Sequence, residues 1–163
     1  MKKCWIISLS LLLLLSGCGA AETMETVSDE MAVPVMAQPK QIYVELPGEA
    51  ASPAVESDSG RLYLCGDYEI SVQILDGGDL ESTVRTLTGY EKDTLTVMET
   101  MRNELNCYEF VWYSAGETGD RVGQATILDD GSYHYCLTVL GDAEKAPGHQ
   151  VFWDQMFQSF RLA

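Results

Sequence analysis

The amino-acid sequence predicts an α+β domain, in which helices pack on an antiparallel sheet of about five to six strands. Three observations carry this prediction. Residues 67–75 alternate apolar and polar side chains, as a half-buried strand does. Four more β-patterned segments follow within residues 94–140, bounded by Gly, Asp or Asn, and an amphipathic helical pattern closes the chain. The predicted order is therefore β-α-β-β-β-β-α.

A turn joins the first strand of this order to the first helix. The strand DYEISVQIL, residues 67–75, is followed by the turn residues DGGD, residues 76–79. Asp79 can cap a helix that Gly89 ends. One face of this helix carries Leu80, Val84 and Leu87, at positions i, i+4 and i+7. We expect that stripe to pack against the sheet, because a short helix containing several threonines is weak on its own.

The next four segments form an antiparallel meander in this interpretation. Between the third and fourth segments, Asp130 and Gly131 are predicted to form a two-residue hairpin turn. A looser link, residues 115–120, joins the second segment to the third. The predicted strand ranges are 94–101, 107–115, 122–128 and 133–140.

The last element is a helix over residues 149–160. At 100° per residue its large apolar side chains fall within an arc of about 140°, which predicts that one face lies on the sheet. The side chains assigned to this arc are Phe152, Trp153, Met156, Phe157 and Phe160.

The order of elements and the ending QMFQSFRL, residues 155–162, are similar to the PsbP/Mog1-like fold. Members of that fold often end in a helix followed by a Ser-Phe pair, and the likeness covers residues 67–162. The resemblance implies a non-catalytic fold used for binding. The roles of PsbP in oxygen evolution and of Mog1 with a small GTPase do not transfer, because the chain has no matching functional residue.

The N-terminus has the three parts of a secretory signal. Residues 1–3 are basic, residues 5–15 form an apolar run, and small residues follow it. The run is shorter than the roughly 20 apolar residues that a transmembrane helix needs. Residues 1–17 are therefore predicted to be a signal peptide rather than a membrane span.

Leu15, Ser16, Gly17 and Cys18 resemble the lipobox of bacterial lipoproteins. The resemblance implies cleavage before Cys18 and attachment of lipid, including palmitate, to that residue. Two or more acyl chains hold a protein stably on a membrane surface, whereas one chain does not. The alternatives are an ordinary signal peptide with a chance cysteine, and a cytosolic protein with an apolar N-terminal helix.

The composition is acidic, with a formal net charge of −15. Removal of residues 1–17 takes away Lys2 and Lys3 but no acid, and would make it −17. Such a charge argues against nucleic acid as a partner and against electrostatic docking to anionic lipids. Residues 18–60 contain four of the five prolines and are predicted to be a tether, with one edge strand at 41–47. Residues 61–163 are predicted to be a single domain.

Three cysteines remain once Cys4 is discarded and Cys18 is lipidated. Cys107 and Cys136 should lie two strands apart, which is too far for a disulfide. Any disulfide would then use Cys65, with Cys107 slightly favoured over Cys136 as its partner. The alternative of no disulfide stays open.

No catalytic, cofactor or metal motif is found, so the sequence predicts neither a cofactor nor a metal site. The strongest candidate for binding is a set of aromatic residues that alternation divides between the two faces of the sheet. One group would pack under the helices, and the other would be exposed and contact a protein, peptide or glycan of the cell envelope. The alternative is that a second helix or the strand at 41–47 covers this second group. The leading hypothesis is a lipid-anchored, extracytoplasmic binding or accessory module. The alternatives are a small envelope enzyme that uses His134 and Cys136, and a structural protein of envelope assembly. The aromatic residues of the candidate set are Tyr108, Phe110, Trp112, Tyr133 and Tyr135.

Overall fold

The computed structural model describes residues 37–116 and 119–163. The predicted signal peptide, the predicted lipid attachment at Cys18 and the first part of the predicted tether lie outside these residues. Two α-helices, nine strands and two short 3-10 helices, Gly48–Ala50 and Lys92–Thr94, make up the described part of the chain. The α-helices are α1 (Leu80–Thr88) and α2 (Ala146–Ser159), and the strands are β1 (Ile42–Tyr43), β2 (Val55–Ser57), β3 (Gly60–Leu64), β4 (Tyr68–Asp76), β5 (Met98–Arg102), β6 (Leu105–Gly116), β7 (Gly119–Asp129), β8 (Tyr133–Asp142) and β9 (Arg161–Leu162).

Seven strands form one antiparallel sheet in the order β2-β3-β4-β8-β7-β6-β5, and β1 and β9 form a separate two-stranded ribbon. From β4 onward the chain follows the predicted order β-α-β-β-β-β-α, and β5 to β8 form the predicted meander. The predicted fold class is confirmed. The sheet has more strands than expected, because β2 and β3 extend it beyond β4.

The folded unit begins earlier in the chain than the sequence suggested. It extends from Ala37 to Ala163, so the predicted boundary between tether and domain at residues 60 and 61 lies inside it. The segment 41–47 contributes only the two residues of β1 to a strand, and these pair with β9 rather than with the edge of the main sheet. Pro47 does not prevent this segment from joining the folded unit, because three apolar side chains of the segment pack on the core: Ile42, Val44 and Leu46.

Each face of the main sheet is covered by one helix. On the α2 face, the helix buries Trp153, Met156 and Phe157 against side chains of β4 and β8. On the α1 face, Val84 packs against side chains of β6, β7 and β8. Phe152, predicted to lie in the buried stripe of the last helix, is instead 58% exposed, because it lies at the edge of the arc.

The ends of α1 match the predicted caps. The Glu81 N–H donates to Asp79 Oδ1 at 3.1 Å, and Gly89 adopts φ 77° while its N–H donates to the Arg85 carbonyl. These contacts satisfy backbone groups that the helix itself leaves unpaired.

The hairpin between β7 and β8 turns one residue later than predicted. Asp129 pairs with His134, so the two central residues are Gly131 and Ser132 rather than Asp130 and Gly131. The Asp130 side chain accepts hydrogen bonds from the N–H groups of Ser132 and Tyr133, which holds the turn in this position. A shift of one residue in a turn moves the strand pairing by two residues.

Candidate functional site

The aromatic side chains of the candidate set are divided between the two faces of the sheet. Phe110 and Trp112 lie on the α1 face and are buried there. Tyr135 lies on the α2 face and is also buried, while Tyr108 and Tyr133 are partly buried on opposite faces. Alternation divides these rings between the two faces, as the sequence indicated, but the packed elements cover the rings on both faces, so the five residues do not form an exposed binding face.

The predicted disulfide between Cys65 and Cys107 does not form, and both residues are buried free thiols. Cys65 follows β3 and Cys107 lies on β6, four strand spacings apart, or about 19 Å. A disulfide requires the two Cα atoms to be within about 7 Å of each other. Cys136 is also a free thiol, and it lies on β8, two strand spacings from β3. Three strands, β4, β8 and β7, lie between β3 and β6, which explains why the predicted pairing fails.

His134 and Cys136 lie on the same face of β8, as alternation requires, but α1 covers both side chains. His134 Nδ1 lies 2.7 Å from Thr83 Oγ1 of α1, so a structural partner occupies that nitrogen. Burial raises the pKa of the Cys136 thiol to about 12 and leaves the side chain with no exposed surface. A nucleophilic cysteine needs a lowered pKa and access to substrate. The geometry therefore gives no support to the alternative of an enzyme built on this pair.

The described residues contain neither a metal cluster nor a membrane-spanning helix. No group of three or more His, Cys, Asp or Glu side chains there is arranged to hold a metal ion. In the same part of the chain, neither helix is long and apolar enough to cross a membrane.

The structure brings together exposed residues that lie outside the candidate set of five aromatic side chains. Val111 and Tyr113 are exposed on the α2 face of β6, beside the edge of the sheet. A groove of about 410 Å³ lies along this edge. The sequence signal was present, since Val111 and Tyr113 occupy the strand positions between the buried Phe110 and Trp112 and must point to the other face. The residues that line this β6 edge groove are Tyr90, Thr94, Leu95, Thr96, Val111, Trp112 and Tyr113.

A hydrogen bond from the Tyr90 hydroxyl links the two sides of the β6 edge groove. It donates a hydrogen bond to the Tyr113 carbonyl at 3.0 Å. Behind the groove, Leu95 and Val97 pack into the core cluster beneath α1, so the segment before β5 is anchored on the α1 face. The groove therefore has one wall from the β6 edge and the other from residues 90–96.

The cations near the β6 edge groove are paired with carboxylates. Lys92 Nζ lies 3.5 Å from Glu99, and Arg85 is bonded to Glu91. The guanidinium of Arg85 lowers the pKa of Glu91. Among the described residues, neither Asp93 nor Asp120 takes part in an ion pair. Asp93 directly precedes Thr94 of the groove lining, and Asp120 lies opposite Ala115 on β7, so in the described part of the chain the exposed charges without a partner next to the lining residues are carboxylates.

No protein-family model and no curated protein matches this chain. Among solved structures it is similar to the Ran-binding protein Mog1p of Saccharomyces cerevisiae, with a TM-score of 0.53 and 13% sequence identity. That similarity covers 74% of this chain and 89% of Mog1p.

Two further solved structures are similar at lower scores. One is PA94, a protein of unknown function from Pseudomonas aeruginosa, with a TM-score of 0.49 and 11% identity over 80% of this chain and 89% of that chain. The other is cyanobacterial PsbP from Synechocystis, with a TM-score of 0.47 and 13% identity over 76% of this chain and 92% of that chain. At such identities a similarity concerns the fold alone. The chain is an α+β protein with the Mog1-like fold, as its order of elements and C-terminal sequence predicted.

Proposed function

We propose that this protein is a lipid-anchored, extracytoplasmic binding or accessory module of the bacterial cell envelope, without catalysis of its own. The observation that carries the proposal is the sequence Leu15-Ser16-Gly17-Cys18 at the end of a short apolar run with a basic start. That run is long enough for export and too short for a stable span.

The fold supports a binding role. Mog1p, which shares the fold, is a Ran-binding protein, so this architecture can serve recognition of another protein. The partner of Mog1p does not identify the partner of this chain, because at 13% identity no binding residue of Mog1p can be assigned to a position here. The exposed apolar side chains at the β6 edge groove support an interaction surface of this chain's own.

The charge supports attachment through lipid. Residues 37–163 contain 8 basic and 21 acidic residues, a formal net charge of −13. A surface of this sign is repelled by anionic headgroups, so electrostatic attraction would not hold the domain on a membrane. A covalent lipid on Cys18 would supply the attachment that the folded domain does not.

Metabolic labelling with a clickable palmitate tests the anchor in cells that express the full chain. The wild-type protein should incorporate the label and fractionate with membranes, and Cys18→Ala should lose both properties. Cys4→Ala is the matched control, because Cys4 lies in the segment that cleavage would remove, and it should behave as wild type. Incorporation of label into Cys18→Ala at the wild-type level would contradict the proposed anchor.

A further inference from the structure

β6 extends well beyond its neighbour β5. β5 pairs with β6 only as far as Met98 opposite Glu109, whereas β6 runs to Gly116. Over residues 111–115 of β6 the only strand beside it among the described residues is β7. This part of β6 is therefore a sheet edge, even though β6 is an interior strand over its first half.

The backbone groups that point out of this edge can be assigned. Arg102 and Leu105 close a hairpin with two central residues, Asn103 and Glu104, both with positive φ. The closing pair of such a hairpin exchanges both hydrogen bonds, so the N–H and C=O of Leu105 point toward β5.

These directions alternate along an antiparallel strand, and the pairing of β6 with β7 is continuous. The N–H and C=O groups of Val111, Tyr113 and Ala115 therefore point away from β7. The bond from the Tyr90 hydroxyl to the Tyr113 carbonyl agrees with this direction. Among the described residues it is also the one hydrogen bond found on these outward groups.

Exposed apolar side chains lie on one side of these outward backbone groups, and a partly apolar groove lies on the other. Val111 is 48% exposed and Tyr113 is 69% exposed on the α2 face. On the other side, Leu95 and Trp112 line the β6 edge groove. An added strand would thus form main-chain hydrogen bonds and place alternate side chains against Val111 and Tyr113 on one side and in the groove on the other, which is how strand addition combines affinity with specificity.

The negative net charge of the domain favours a basic segment of another protein over a second copy of this chain as the strand that binds at this edge. A second copy of this chain would bring another formal net charge of about −13 to an edge whose nearby carboxylates Asp93 and Asp120 form no ion pair among the described residues. A basic segment would instead complement both carboxylates. Complementary charge steers association and excludes partners of the same sign.

We propose that the free edge of β6 at residues 111–115 binds an extended, positively charged segment of another protein by strand addition. The inference rests on the proposed binding role and is independent of the lipid anchor. The segment would carry apolar side chains at alternate positions, with lysine or arginine toward its ends. The bound segment would lie beside residues 111–115 of β6, in the position next to β6 that β5 occupies over the first half of that strand.

Peptide binding to the full-length protein in detergent tests the charge and the side chains. The probe is an array of eight-residue peptides with lysine at both ends and alternating apolar residues and threonine between them. We expect the tightest of these to bind with a dissociation constant below roughly 1 mM, and the matched peptides with glutamate at both ends to bind at least about tenfold more weakly.

A substitution locates the peptide on the protein. A lysine at a strand edge opposes pairing, so Tyr113→Lys should weaken binding about tenfold or more. Leu64→Lys is the matched control, since Leu64 is 60% exposed on β3 and carries the same change of charge. Binding to that variant should equal binding to wild type. Equal losses in the two variants, or none in Tyr113→Lys, would overturn the assignment.

Hydrogen exchange followed by NMR tests the backbone directly and needs no variant. Without peptide, the amides of Val111, Tyr113 and Ala115 should exchange rapidly, while those of Phe110, Trp112 and Ser114 are already protected by β7. Bound peptide should slow the first set.

Other patterns of exchange and binding overturn the proposal. Protection confined to β5, a glutamate-flanked set that binds as well as the lysine set, or self-association through this edge in sedimentation would each do so. Absence of binding by every lysine-flanked peptide would do the same and would leave the result of palmitate labelling untouched. Conversely, incorporation of palmitate into the Cys18→Ala variant would contradict the proposed lipid anchor and would not affect the conclusion about peptide binding.

Discussion

His134 is a buried histidine whose surroundings favour the neutral ring. It is 2% exposed on β8, and its Nδ1 is bonded to Thr83 Oγ1 of α1. Burial lowers the pKa of His134, and this effect outweighs the opposite influence of three nearby carboxylates. Asp129 is the nearest of them, with Oδ1 3.9 Å from Nε2, and the other two are Asp79 and Asp130.

This histidine should make the stability of the domain depend on pH. Because the pKa of His134 is lower in the folded state than its ordinary value of 6.5, its contribution is complete above pH 6.5 and is lost as the pH falls toward the folded pKa. Between pH 7 and 5 the free energy of unfolding should fall by up to about 1.4 kcal/mol per pH unit through this one group. Urea denaturation at several pH values measures it.

His134→Gln is the control for that dependence, since glutamine keeps a polar group near Thr83 but does not titrate. Its free energy of unfolding should change less with pH over the same interval. If the two proteins lost stability in parallel from pH 7 to 5, the assignment to His134 would be incorrect.

Cys136 should resist alkylation in the folded protein. Its thiol has no exposed surface, and burial raises its pKa to about 12, so little thiolate exists at neutral pH. Iodoacetamide at pH 8 should leave Cys136 unmodified in native protein and modify it fully in urea, as peptide mass mapping would show. Rapid labelling of Cys136 in the native state, slowed by His134→Ala, would instead restore the enzyme hypothesis.

At the scale of elements, the paired strands β6 and β7 include one unusually close side-chain contact. The Trp112 ring lies against Gly123 on the facing strand, and a Cβ built on Gly123 would come within 2.2 Å of ring atoms. Trp112 is 4% exposed beneath α1 and has little room to move. Glycine in the middle of this strand is therefore required by packing and not by the backbone conformation.

Gly123→Ala should destabilise the domain by about 1–3 kcal/mol or more, because the added methyl group overpacks the core against an aromatic ring. Gly48→Ala is the matched control, since a Cβ at Gly48 would meet nothing within 4 Å. Thermal unfolding of the two variants beside wild type measures the difference. Equal stability of Gly123→Ala and wild type would show that the Trp112 ring can adopt another conformation that accommodates the added methyl group.

Elements were predictable where one segment carried its own signal. The helix α1 has a cap residue, an apolar stripe and a terminal glycine within eleven residues, and its bounds were close to those observed. The position of the turn before β8 was not predictable in this way. Local sequence favours Asp130 and Gly131 as the central residues, whereas the structure has Gly131 and Ser132 there. The observed register also depends on the side chain of Asp130, which accepts a hydrogen bond from the Tyr135 hydroxyl and forms an ion pair with Lys40, 90 residues earlier in the chain.

At the scale of the whole molecule, residues 37–60 belong to the domain. The Lys40 N–H donates to the Tyr135 hydroxyl oxygen at 2.8 Å, across 95 residues of sequence. β2 pairs with β3, and Ala50 is buried in the main core. Removing these residues would expose the core over β3 and β4.

Two fragments test this boundary. Residues 37–163 should unfold cooperatively at the temperature of the full chain, because they comprise the folded unit. Residues 61–163 should unfold at a much lower temperature or bind a dye for exposed apolar surface. Circular dichroism melts of both fragments give the comparison. Equal melting temperatures would support the shorter domain that composition alone suggested.

Local patterns in the sequence were sufficient for the fold class, the meander, both helices and the division of strand residues between two faces. These features follow from periodicity, caps and turns, which act over a few neighbouring residues. The predicted export signal and Cys18 rest on the same kind of local pattern, and their test is the labelling experiment. Only the tertiary structure decided the pairing of residues 37–57 with the domain, the separation of Cys65 from Cys107 and the free edge at Val111 and Tyr113. Each of these depends on which strands lie side by side, and that order is set by contacts between residues far apart in the chain.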